Sequence, residues 1–143
     1  MCAVKIHEIT GYEGFNEFVS KLPERGPQVC FYFTGTKDAH GHSWCIYCIM
    51  AEPVLRFFLS GLKKKVIFGF VDVGDKEDYQ ALNMTFPFHL NSWKDLSCPF
   101  RTDPRLKLMG LPTILVWKGV QRLQGAQCSK VDLLKLLFED EDH

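Results

Sequence analysis

Ser43-Trp44-Cys45-Ile46-Tyr47-Cys48 runs without a break into Ile49-Met50-Ala51-Glu52-Pro53-Val54-Leu55. Two cysteines three apart at the head of a helical pattern close a small disulfide or stand as a reactive dithiol. A thiol attacks a disulfide only as its thiolate. Cys45, just ahead of the helix, places its sulfur near unpaired backbone N–H groups and the positive end of the helix dipole, and both favour the anion. Cys45 is therefore the expected nucleophile. Cys48 lies one turn in, on the same side, and is placed to resolve the mixed disulfide that Cys45 forms.

Outward from the motif, the chain alternates strand and helix signals. Upstream, Val29-Cys30-Phe31-Tyr32-Phe33 is a continuous apolar run, as a strand covered on both faces requires. Cys30 and Tyr32 in it read as core. Before that, Lys5 to Ile9 reads as an edge strand, and Thr10 with Glu13 has capping-box spacing at the start of a helix striped by Phe15, Phe18, Val19 and Leu22. A polar loop, Thr34 to His42, delivers the chain to Trp44. In the motif helix Met50, Val54, Leu55, Phe58 and Leu59 mark an apolar face, Pro53 predicts a kink or a tolerated break, and Gly61 ends the helix.

Downstream, Lys65 to Val73 is a second buried strand. Residues 74–102 read as an extended excursion with too many aromatics (Phe86, Phe88, Trp93, Phe100) for a freely solvated loop. Asp103-Pro104 predicts a short helix ending near Gly110. Thr113 to Trp117 and Val120 to Leu123 form a hairpin about Lys118-Gly119. A last helix carries Val131, Leu134, Leu137 and Phe138 inward, widened by Leu133, and ends in the acidic run 139–142. The order predicts an α/β fold with a central mixed β-sheet flanked by helices on both faces.

The chain has 143 residues, 46% of them apolar, which suits a single domain spanning 1–143. Seventeen Lys and Arg balance seventeen Asp and Glu, so no electrostatic funnel leads toward nucleic acid or anionic lipid. Residues 1–9 have no long apolar core, and the run Val66 to Val71 is too short to cross a bilayer. A cytoplasmic protein with neither nucleic-acid nor membrane partners is the expectation, and with it a reducing compartment that leaves most thiols free. Cys2, Cys98 and Cys128 show no spacing that demands a disulfide framework.

Leu111-Pro112-Thr113 is the second chemical signal. A proline directly before a strand, reached through Gly110, is a natural place for a cis peptide bond. With the upstream Cys-x-x-Cys pair the chain resembles a thioredoxin-like domain, and that resemblance implies that Leu111 and Pro112 face the two sulfurs and offer backbone to an extended substrate. Trp44 is expected to give an apolar contact surface and Tyr47 to touch substrate. Glu52 reads either as a proton-transfer aid or as part of a solvated face. His40 and His42 flank the loop and are candidates for raising thiolate character. A metal site would draw on His40, His42, His89 or Cys98, but no second ligand pair has finger-like spacing, so no metal is expected.

The motif Phe33-Thr34-Gly35, Lys37-Asp38-Ala39, Gly41, Ser43-Trp44-Cys45-x-x-Cys48 and Ala51-Glu52-Pro53-Val54 resembles the thioredoxin fold, and within it the thioredoxin domain-containing protein 17 family. The similarity extends over residues 5–140. It implies a cytosolic disulfide reductase with Cys45 as nucleophile, Cys48 as resolving thiol and Pro112 as the cis proline facing the substrate. No cofactor would be bound: electrons would come from NADPH through thioredoxin reductase, and the substrates would be cystine-type small disulfides or protein and peptide disulfides. Lys37 and its loop map onto the insertion that narrows access. Two departures stand out. The family carries proline and aspartate where this chain has Ile46 and Tyr47, and residues 74–102 are longer here. The alternative is a thioredoxin-like binding or signalling adaptor whose dithiol turns over weakly or not at all. A monomer is expected in either case.

Overall fold

The computed structural model describes residues 3–37, 40–41, 43–74 and 97–139. Strands β1 (Val4–Thr10), β2 (Gln28–Thr34), β3 (Val66–Asp72), β4 (Thr113–Val116) and β5 (Arg122–Gln124) form one sheet in the order β1-β3-β2-β4-β5. β1 and β2 both pair parallel to β3, while β4 runs antiparallel to β2 and β5 antiparallel to β4. The sheet is mixed, and β1 is its edge, as the sequence predicts.

Alternation along β2 sorts the core into two layers. Cys30 and Tyr32 pack with Ala51, Leu55 and Leu59 of α2 (Ile46–Gly61) and with Leu134, Leu137 and Phe138 of the C-terminal helix Val131–Glu139. Phe31 and Phe33 point the other way, onto Phe15 of α1 (Gly11–Ser20) and Phe100 of α3 (Pro99–Thr102). Phe15 is the centre of that second layer, with ring centroids 5.1 Å from Phe31, 5.7 Å from Phe33 and 5.7 Å from Trp117. The C-terminal helix is α4.

Several local expectations are corrected. Thr10 occupies the N-cap of α1 but makes no side-chain capping bond. The short helix is Pro99–Thr102, not 103–110. Pro99 takes the first-turn position, and Asp103 then turns its carboxylate back onto the Arg105 N–H at 2.8 Å, a local bond that competes with helix. β5 begins at Arg122 rather than Val120, because Lys118 adopts a φ of 66° and Val120 is left exposed. Met50 and Val131 lie on the outer sides of their helices. α2 runs through Pro53 unbroken. A 3-10 helix at Gly125–Ser129, where Gln124 and Gln127 cap one another reciprocally, carries no serine, threonine or acidic cap signal in the sequence. Of the excursion, 75–96 lies outside the described residues, as do Asp38, Ala39, His42 and the acidic end 140–143.

Candidate active site

Cys45 is the N-cap of α2, in extended conformation, and its sulfur accepts the Cys48 N–H at 3.3 Å. A cap normally uses an oxygen for this bond; a sulfur there gains negative charge at low cost. Both thiols are unbonded and mostly buried, Cys45 8% exposed and Cys48 1%. The Cys48 thiol, hydrogen-bonded to Cys45, is the largest influence on the nucleophile. With the backbone N–H groups of Cys48 and Tyr47 it outweighs burial and brings the Cys45 pKa down to about 7. The same contact, followed by burial, drives Cys48 strongly upward. One sulfur is thus favoured as thiolate while the other is held protonated.

The approach loop is tied down by motif residues to which the sequence assigns no bracing role. Ser43 donates its hydroxyl to the Gly35 carbonyl at 3.0 Å and accepts the Cys45 N–H at 3.1 Å, which fixes the backbone entering the helix. Trp44 lies across Gly35, where an added Cβ would fall 2.5 Å from the indole Cε2, so only glycine lets the ring down. Its Nε1 donates to the Gly74 carbonyl at 3.0 Å. That oxygen also accepts the Thr36 N–H at 3.1 Å. Trp44 is half-buried, whereas Ile46, Tyr47, Ile49 and Met50 are exposed around the cysteines.

Beneath the helix, Tyr32 donates its hydroxyl to the Cys48 carbonyl at 3.2 Å. Burial, then the neighbouring Cys48 and Glu52, push its pKa far up, so it stays a neutral donor. Glu52 is neither solvated nor free to carry protons. It accepts Lys37 Nζ at 2.6 Å and Arg56 Nε at 2.9 Å, and Arg56 reaches on to Glu8 at 3.0 Å while lying over the Phe70 ring. Burial raises the Glu52 pKa, but the two cations outweigh it and keep the group anionic. Lys37 is thereby pinned to α2. His40 is exposed.

The Leu111–Pro112 bond is cis, as the sequence predicts. Leu111 packs in the same cluster as Cys45 and Cys48. The Pro112 carbonyl accepts the Gly125 N–H at 2.8 Å and the Cys128 thiol at 3.6 Å. Burial lifts the Cys128 pKa to about 12, so that thiol is a donor and not a nucleophile. Among the described residues no three His, Cys, Asp or Glu side chains gather to hold a metal ion, and no helix is long and apolar enough to cross a membrane.

Comparison with known proteins places this geometry. The family model for the thioredoxin domain-containing protein 17-like thioredoxin domain matches residues 8–90 and 89–140. The chain belongs to that family. Thioredoxin domain-containing protein 17 of Danio rerio is 35% identical over 136 residues, covering 94% of this chain and 98% of the relative, and the Homo sapiens protein is 33% identical over the same shares. Reduced thioredoxin pre-protein from Schistosoma mansoni superposes with a TM-score of 0.52 at 18% identity, covering 94% of this chain and 99% of that one. This member of the thioredoxin domain-containing protein 17-like family thus has the thioredoxin-like oxidoreductase fold and carries a Cys-x-x-Cys pair at the head of α2.

Proposed function

We propose that the protein is a thiol–disulfide reductase acting on protein, peptide and cystine-type disulfides, with its dithiol restored by thioredoxin reductase at the expense of NADPH. The observation that carries this reading is the division of labour between the two sulfurs: Cys45 at the N-cap of α2 accepts the Cys48 N–H and has its pKa lowered, while Cys48 is buried and held as thiol. Cys45 thiolate attacks one sulfur of a substrate disulfide, forms a mixed disulfide and releases the first substrate thiolate. Cys48 then loses its proton and attacks Cys45. The Cys45–Cys48 bond forms, the second substrate sulfur leaves with the electron pair, and two electrons have moved to substrate. Cis-Pro112 and Leu111 line the approach, and Trp44 and Tyr47 supply apolar contact. The chain works as one domain, as a monomer in the cytoplasm.

The test is NADPH consumption with thioredoxin reductase present, on cystine and on insulin, for wild type and Cys45→Ser. Turnover in wild type that disappears in the variant is the expected result. Silence on both substrates, with direct reduction of the Cys45–Cys48 disulfide by the reductase demonstrated separately, would overturn it in favour of an adaptor that docks through Ile46, Tyr47, Ile49 and Met50, the exposed apolar residues beside the motif.

A further inference from the structure

The resolving step needs Cys48 to lose a proton inside a protein core. In the dithiol form that proton is shared with the Cys45 thiolate. Once Cys45 is bonded to substrate its sulfur carries no charge, and Cys48 needs another partner. Among the described residues no carboxylate serves: Glu52 is engaged by Lys37 and Arg56, and Asp72 accepts the Thr36 hydroxyl and the Gly74 N–H. Tyr32 is committed as donor to the Cys48 carbonyl.

Thr34 is the group left. It ends β2, two residues on from Tyr32, so the pleat aims its side chain at the same face, toward the first turn of α2. Its residue is 6% exposed, and its Oγ1 is buried beside the Tyr32 hydroxyl and the Cys48 sulfur, with no partner at hydrogen-bonding geometry among the described residues. Orphaned buried hydroxyls are uncommon and costly. Among the described residues, the polar groups that face the Cys48 sulfur besides Cys45 are this hydroxyl and the Gly35 N–H, and both favour its thiolate. Thr34 also lines a surface cavity of about 180 Å³, with Glu8, Lys37, Glu52, Arg56 and Asp72 around it. A polar space of that size admits several water molecules. Cys48 itself does not line it.

We propose that the Thr34 hydroxyl is the port through which the Cys48 proton leaves during resolution, linking the buried thiol to the charged cavity beyond. The hydroxyl accepts from the Cys48 S–H, passes its own proton to a water admitted from the cavity as the mixed disulfide forms, and then donates to the nascent thiolate alongside the Gly35 N–H. Cys48 attacks Cys45, the Cys45–substrate bond breaks, and the departing thiolate takes up a proton from solvent. Charge and electrons balance with no further reactant. The step deepens the reductase reading and rests on it.

A chromogenic nitrophenyl disulfide separates the two half-reactions, because attack by Cys45 releases one coloured thiolate and resolution by Cys48 releases the second. Wild type, Thr34→Val and Thr34→Ser would be followed by stopped flow, with the melting temperature of each recorded. The expected result is a first release at the wild-type rate in every case. The second should be roughly tenfold or more slower in Thr34→Val and restored in Thr34→Ser, without loss of melting temperature. A second release unchanged in Thr34→Val, or both releases slowed alike, would overturn the proposal while leaving the reductase standing. No first release from wild type would overturn the reductase reading and this step with it.

Discussion

The sulfur of Cys45 owes its acidity to a neighbour three residues away more than to the helix as a whole, because the Cys48 thiol is the largest single influence on it. Alkylation by iodoacetamide should therefore rise with pH about a midpoint near 7. In Cys48→Ala the strongest donor is gone while the residue 48 N–H remains, so the midpoint should move up toward that of an ordinary cysteine. An unchanged midpoint would show that the backbone alone sets it. Thr34 supplies a second residue-scale test. Its hydroxyl is desolvated without a partner, so Thr34→Val should stabilise the fold by about 1 kcal/mol in urea titrations. These two residues differ in how plainly the sequence shows them. The cysteines announce themselves by spacing. Thr34 reads as the start of a polar loop, and its burial follows only because β2 continues through it.

At the level of elements, the reach of a sequence pattern depends on what each element packs against. α2 was legible through Leu55 and Leu59, but its buried stripe is Cys48, Ala51, Leu55 and Leu59, and Met50 sits outside it. The small residues mark where the helix approaches the sheet closely, a feature that hydropathy does not weigh. The loop before α2 was legible as a loop and not as a brace, because Ser43 and Gly35 act through backbone contacts. Gly35→Ala should force the indole of Trp44 away from its bond to Gly74, with a shifted tryptophan emission and a loss of about 1–3 kcal/mol. Asp103 carries the other element-scale prediction. Arg105 first, opposed by burial and aided by the Tyr12 hydroxyl, lowers its pKa from 3.8 to about 2. A depressed carboxylate stabilises the folded state above pH 4 and loses that contribution as pH falls from about 4 through 2. Allowing for the partly exposed Arg105, about 1–2 kcal/mol is at stake. In Asp103→Asn that share of the acid-induced loss should vanish from urea midpoints measured between pH 5 and 2.

Across the whole molecule, topology was legible because two continuous apolar runs, Val29 to Phe33 and Val66 to Val71, had to be covered on both faces, and the helices between strands supplied that cover. What the pattern could not show is how Leu111, distant in sequence, joins the apolar cluster that holds Cys45 and Cys48. Pro112 leads into β4, which pairs with β2, and its carbonyl is held by Gly125 and Cys128 from a 3-10 helix that the sequence conceals. The assembled face around the motif combines zero formal net charge for the chain with exposed Ile46, Tyr47, Ile49 and Met50. A protein substrate docking there gains from apolar contact and not from charge. Replacing both Ile46 and Tyr47 by serine should then lower kcat/KM for a protein disulfide by roughly tenfold, about what losing 50–60 Å² of buried apolar contact costs. Cystine, too small to reach both side chains, should change by less than roughly threefold. Raising salt from about 0.05 to 0.5 M should leave the wild-type rate on the protein disulfide nearly constant, because screening acts on charges and not on the apolar contact that Ile46, Tyr47, Ile49 and Met50 offer. Equal losses on both substrates would instead place Ile46 and Tyr47 in the chemistry of the thiols, and a steep fall with salt would mean that charged side chains elsewhere on the surface guide the substrate in.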